Sequence, residues 1–120
     1  MNNENKIDYI KKIIIKILLL IVVGTLLVFC KKSNWLIFSG MTIMLIYIHF
    51  YLNLSIYFLV FVGFGGSFAE SVVMYLTDLW KYKSPNLGNI PCWLPLLWSI
   101  VGTGVIGIYE LISIIKLYFI

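Results

Sequence analysis

Four apolar stretches follow one another along the chain, separated by short polar breaks. The first covers residues 13–30 and is closed by Lys31-Lys32, the second covers 35–51, the third 55–76 and the fourth 93–118. A helix needs about 20 apolar residues to cross the hydrocarbon core of a bilayer, and each stretch is close to that length. The break between the second and third is slight, resting on His49, Asn53 and Ser55 within an otherwise apolar run. One helix cannot hold all of 35–76 within a single bilayer, so a tight hairpin near Asn53 is expected. Lipid leaves exposed backbone groups unsatisfied, which makes the spans helical. The expected fold is all-α: a polytopic membrane protein, a compact bundle of four transmembrane helices forming one domain over residues 1–120.

Composition strengthens this reading. Hydrophobic residues make up 62% of the 120 positions and charged residues 12%, against about 45–50% and about 25% in soluble domains. A soluble domain of this size has too little interior to hide so much apolar surface. All nine basic residues are lysines. The absence of arginine's planar fork argues against nucleic-acid recognition, and the lysines bracket the apolar stretches as headgroup anchors do. With four spans both termini share one side. That side carries Lys6, Lys11, Lys12, Lys16 and Lys116, against Lys31, Lys32, Lys81 and Lys83 on the other. This narrow excess, led by the N-terminal cluster, makes both termini in the cytoplasm the expected orientation, while the near tie also permits insertion in both orientations.

Other signals are set aside. The first stretch lacks the small-residue site of a cleaved signal peptide, so cleavage is not expected. Asn53-Leu54-Ser55 fits a glycosylation sequon but falls in a hairpin at the membrane surface. Cys30 and Cys92 form no metal or disulfide pattern, although both are expected near the same face of the membrane.

The segment from Asp78 to Trp98 is the most distinctive, holding all three prolines and three of the four tryptophans. Pro85-Asn86 reads as a turn and Gly88 permits a positive φ. Pro91 and Pro95 suit a helix start. Trp80, Tyr82, Trp93 and Trp98 carry the amphipathic rings that settle at headgroup level. With Pro91 and Pro95 they form either an interfacial aromatic belt or a shaped lid over a pocket. The pattern Trp80-x-Tyr82, Pro85, Gly88, Pro91-x-Trp93-Leu94-Pro95-Leu96-x-Trp98 resembles small multi-pass proteins of microbes and large viruses to which no function is assigned. The resemblance covers about the last half of the chain and implies a membrane fold without a particular activity. A fainter similarity is to membrane enzymes of carotenoid biosynthesis. Those carry paired acidic residues after the proline, where this chain has Cys92-Trp93, so no catalytic role is transferred.

Ionisable residues inside spans are costly and often functional. Lys16, Glu70 and Glu110 are such residues, with His49 near the end of the second span. From helix rise the two carboxylates are expected on the order of 13 Å apart along the membrane normal, too far for a shared proton. Lys16 and Glu110 share a depth and are expected to pair, with His49 in the same half as a group able to titrate near neutral pH. Gly63, Ser67 and Ser71 recur every four residues in the third span, and Ser99, Thr103 and Gly107 in the fourth. Small residues at that spacing let helices approach closely, so the third span is expected to pack on the fourth. Gly63, Gly65 and Gly66 lack the lysine and setting of a phosphate loop. No metal site, cofactor or nucleic-acid partner is expected. The expected partners are the lipid bilayer and either further copies of the chain or another membrane protein.

Three functions fit. The leading one is a non-enzymatic membrane protein that packs with partners. A small oligomeric transporter or channel is the second. It would match small four-helix drug exporters in size, but those carry a key carboxylate in the first helix, where this chain has Lys16. A protein that binds or modifies a lipid or isoprenoid is the third, with Glu70 and Asp78 beneath the tryptophan-rich lid, although Asp78 reads first as a solvated boundary residue.

Overall fold

The computed structural model describes residues 3–119. It consists of four helices: α1 (Asn3–Phe29), α2 (Asn34–Tyr51), α3 (Ile56–Thr77) and α4 (Leu94–Phe119). Each is long and apolar enough to cross a membrane. The bundle measures 49 × 28 × 26 Å.

Local chemistry sets the helix ends. Ser33 caps α2 by accepting a hydrogen bond from the Leu36 amide at 3.2 Å, and Ser55 caps α3 by accepting from Tyr57 N–H at 3.2 Å. An N-cap hydroxyl satisfies an amide that has no partner in the first turn. The hairpin expected near Asn53 is present: Leu52 ends α2, and Asn53 turns the chain at φ 59°. Asp78 ends α3 in the same left-handed region, at φ 54°. Asn and Asp tolerate that region better than most residues.

α1 begins ten residues before the apolar stretch that marks the first span. Hydropathy reports which residues suit lipid, whereas helix extent follows propensity and packing. In the added turns Asp8 and Lys12 form an i,i+4 ion pair at 3.4 Å, which supports a helix. Ile7 and Ile10 continue the apolar pattern into Ile13 and Ile14.

α4 is the centre of the bundle, with α1 and α3 as its principal neighbours and α2 also against it. Ile100 and Thr103 are fully buried on it, with Ile37, Met41 and Ile48 of α2 and Ile13 of α1. The expected packing of α3 on α4 is present at one end of the small-residue stripe. A Cβ on Gly63 would meet Ser99 Oγ at 2.5 Å and the Pro95 carbonyl oxygen at 2.6 Å. The Ser99 hydroxyl donates across the interface to the Leu59 carbonyl at 2.5 Å. The stripe then turns away. Gly107 lies against Lys16 and the Ile13 carbonyl, and Gly104 against Leu20, so both serve the contact with α1. A spacing of four residues advances about 40° beyond a full turn, so eight residues from Ser99 to Gly107 carry the stripe about 80° around the helix.

α2 and α3, though joined by a tight turn, diverge above α4. The cleft between them has a volume of about 420 Å³. Its walls include Ile46 and Phe50 of α2 and Val60 and Phe64 of α3, and Leu96 lies on its α4 side. Phe61, Phe64 and Phe68 of α3 point away from the bundle, as side chains facing lipid do.

Candidate functional site

The segment between α3 and α4 folds over one end of the bundle and is fastened to it by polar side chains. Its centre is Glu70, two turns before the end of α3. One carboxylate oxygen, Oε1, accepts from the Tyr82 hydroxyl at 2.5 Å and from the Trp80 indole N–H at 3.3 Å. The other, Oε2, accepts from the Trp98 indole N–H at 2.9 Å. Three aromatic donors from a loop and a second helix thus converge on one side chain. A carboxylate that leaves water for a half-buried site needs such donors.

Gly66 makes the third of these bonds sterically feasible. A Cβ there would run into the Trp98 ring, so the bare backbone lets the indole lie against α3 and reach Glu70 one turn further on. Burial and the hydrogen bond to Glu70 both hold the Tyr82 hydroxyl above its ordinary pKa, burial being the larger cause. Ionisation would place a second negative charge beside the carboxylate.

Asparagines hold the rest of the segment, because each amide both donates and accepts. Asn34, the first residue of α2, accepts from the Trp93 indole at 3.0 Å and donates to the Ser84 carbonyl at 2.7 Å. Asn86 accepts from the Cys92 amide at 2.7 Å. Asn89 donates to the Ser71 carbonyl at 3.1 Å and accepts from the Ser71 hydroxyl at 2.6 Å. Between them Leu87 and Ile90 bond each other's backbone around a two-residue turn, with Gly88 at φ 65°. Pro91, Trp93 and Leu94 are buried, and Tyr82 meets Trp93 edge to face, with centroids 5.9 Å apart.

The aromatic residues singled out in the sequence are therefore gathered into a cap whose polar edges turn inward. Pro95 lies in the first turn of α4, where its oxygen receives the Ser99 hydroxyl at 3.2 Å. The asparagines carried no comparable signal in the sequence. Their one cue was their position beside the prolines, Gly88 and the start of α2. Ser71 was expected to serve helix packing and instead anchors the cap. Asp78, read as a solvated boundary residue and placed beneath the lid only in the lipid-binding alternative, is exposed and serves as the left-handed cap of α3. Cys30 and Cys92 are both free.

The second polar cluster lies toward the other end. Lys16 Nζ donates to Glu110 Oε1 at 2.5 Å, and Lys16 is only 8% exposed. Charges moved from water into low dielectric are costly alone, and pairing offsets that cost. Gly107, one turn before Glu110, gives Lys16 room to lie along α4. His49 is not joined to this pair among the described residues. Its Nδ1 instead meets the Leu54 carbonyl at 2.9 Å, across the hairpin, and its ring lies at the rim of the α2–α3 cleft. Trp98, which holds Glu70, precedes Glu110 by twelve residues on α4, on the order of 18 Å along the axis. The two carboxylates thus occupy different halves of the bundle.

Ser67 is buried at 3% exposure, and its hydroxyl has no hydrogen-bond partner among the described residues. Among those residues no three His, Cys, Asp or Glu side chains gather where they could hold a metal. Compared with known protein families, curated proteins and solved structures, the chain matches none.

Proposed function

We propose that the chain is a non-enzymatic, multi-pass integral membrane protein, with both termini in the cytoplasm, that acts by packing against a partner transmembrane segment. The observation that carries this reading is the apolar cleft left open between α2 and α3. It faces the surroundings of the bundle rather than its axis, and its size suits the bulky side chains of a helix. The hydroxyls along it are occupied within the chain: Thr42 donates to the Phe38 carbonyl at 2.8 Å, and Ser99 is bonded to Leu59 and Pro95. The capped end holds the three helix ends in a fixed frame, which suits a docking role.

The transporter alternative draws less support, because Lys16, Glu70 and Glu110 are each engaged inside the chain. The lipid or isoprenoid alternative draws on the same cleft with a different occupant. A photoreactive residue at Phe64, cross-linked in the native membrane, separates the two. The expected product is a discrete protein adduct. It should be lost when the photoreactive residue is moved to Lys83, in the loop at the capped end. Adducts to lipid alone would overturn the packing role in favour of the lipid-binding one.

A further inference from the structure

A second groove lies at the opposite end from the cap, where α1 and α4 outrun the α2–α3 hairpin. Lys12 Nζ sits 5.6 Å from the centre of the Tyr51 ring, so Lys12 is level with the end of α2. Lys6 is six residues further out, on the order of 9 Å. The headgroup layer on each side of the hydrocarbon core is itself about 5–8 Å thick. Lys6 therefore stands at headgroup height when the four helices span a bilayer.

The groove beside it has a volume of about 690 Å³. Ile10 and Tyr9 form its α1 wall, and Ile114, Leu117 and Phe119 its α4 wall, with Lys6 at the mouth. The charges around it are unequally committed. Lys12 is paired with Asp8 and Lys16 with Glu110. Lys6 is in no ion pair among the described residues. Glu4, Lys11 and Lys116 are exposed and do not line the groove.

We infer that this groove binds one anionic phospholipid, with the phosphate at Lys6 and the upper part of an acyl chain against Ile10, Ile114 and Leu117. The cation selects a negative headgroup, and the apolar walls select a molecule that carries a hydrocarbon chain with it. A free phosphate would leave those walls wet. The inference rests on the membrane-spanning part of the proposed function and is independent of what fills the α2–α3 cleft.

The test is native mass spectrometry of the full chain released from nanodiscs of equal phosphatidylglycerol and phosphatidylcholine with the same acyl chains. The expected result is one retained phosphatidylglycerol, preferred over phosphatidylcholine by about five-fold, the effect of one lysine at the membrane surface. Lys6→Gln should abolish the preference. Leu117→Trp, which fills the groove and keeps the charge, should abolish retention. Lys116→Gln should leave both intact. No preference in the unaltered chain, or equal loss in Lys6→Gln and Lys116→Gln, overturns the site. A chain that does not enter the discs overturns the membrane-spanning reading and this inference with it, whereas failure of the Phe64 cross-link alone leaves the groove standing.

Discussion

Trp98 of α4 and Glu70 of α3 are joined by a 2.9 Å hydrogen bond from indole N–H to carboxylate, over a backbone left bare by Gly66. The same carboxylate also receives Trp80 and Tyr82 from the connecting loop. One side chain thus ties the loop to both helices that it joins.

Replacing Glu70 with Gln should loosen the cap. The amide offers one acceptor oxygen where the carboxylate offered two, and its N–H groups face donors. Hydrogen bonds to charged groups contribute about 1.5–3 kcal/mol each, so a loss of about 1–3 kcal/mol of stability in detergent is expected, with a red shift in tryptophan fluorescence. An unchanged emission spectrum and melting temperature would remove Glu70 as the organiser of the loop.

The Lys16–Glu110 pair predicts strong coupling. Removing one partner from a buried pair costs about 3–5 kcal/mol because the other charge is stranded. Lys16→Met and Glu110→Met should each be severely destabilising, and the double variant less so than the sum of the two. Additive losses in a double-mutant cycle would mean that the two charges do not interact.

Adjacent glycines should respond in opposite ways. A Cβ at Gly65 meets nothing within 4 Å, whereas one at Gly66 collides with Trp98. Gly65→Ala should be neutral or stabilising by up to about 1 kcal/mol through helix propensity. Gly66→Ala should cost about 1–3 kcal/mol through overpacking and weaken the Trp98–Glu70 bond. Thermal melts of the two variants side by side check the contrast, and equal behaviour would contradict the packing of Trp98 on α3.

Tyr82 should titrate above the ordinary tyrosine range. Its pKa is raised in the folded protein, chiefly by burial and then by Glu70, so the neutral hydroxyl is the stabilised form. Its contribution is complete below the unfolded value of about 10 and is lost as pH rises through the folded value. Ultraviolet difference titration should show a tyrosine step above the ordinary range that is missing in Tyr82→Phe, and identical titrations of the two would contradict the burial of this hydroxyl against Glu70.

Ser67→Ala should be tolerated or raise the melting temperature slightly. The buried hydroxyl finds no partner among the described residues, and an unsatisfied buried group costs about 1–3 kcal/mol. A marked loss of stability would reveal a bond that this hydroxyl makes in the folded protein.

The helical fold was legible because lipid imposes it. Long apolar runs must become helices, and the breaks at Lys31-Lys32, near Asn53 and across the proline-rich loop divide them into four. The Lys16–Glu110 pair was legible for a related reason: helix rise alone sets depth, and two opposite charges at one depth have few other ways to be neutralised. The start of α1 was not legible from hydropathy, because Asn3 to Lys12 is helical without being apolar enough to be marked as a span.

Beyond the packing of α3 on α4, which helix faces which was decided only in three dimensions. Every face of these helices is apolar enough for lipid, so periodicity does not mark an inward side. The stripe on α4 could not say that Ser99 serves α3 while Gly107 serves α1. The inward turn of Trp80, Tyr82 and Trp98 was hidden for a different reason. An indole suits the membrane interface and a hydrogen bond equally well, and only the folded loop brings three of these donors to Glu70. The sequence by itself determined the number of helices and the shared depth of Lys16 and Glu110, because these follow from solvent and helix rise. The tertiary structure decided the cap, the cleft and the groove, because these depend on contacts between side chains far apart in the chain.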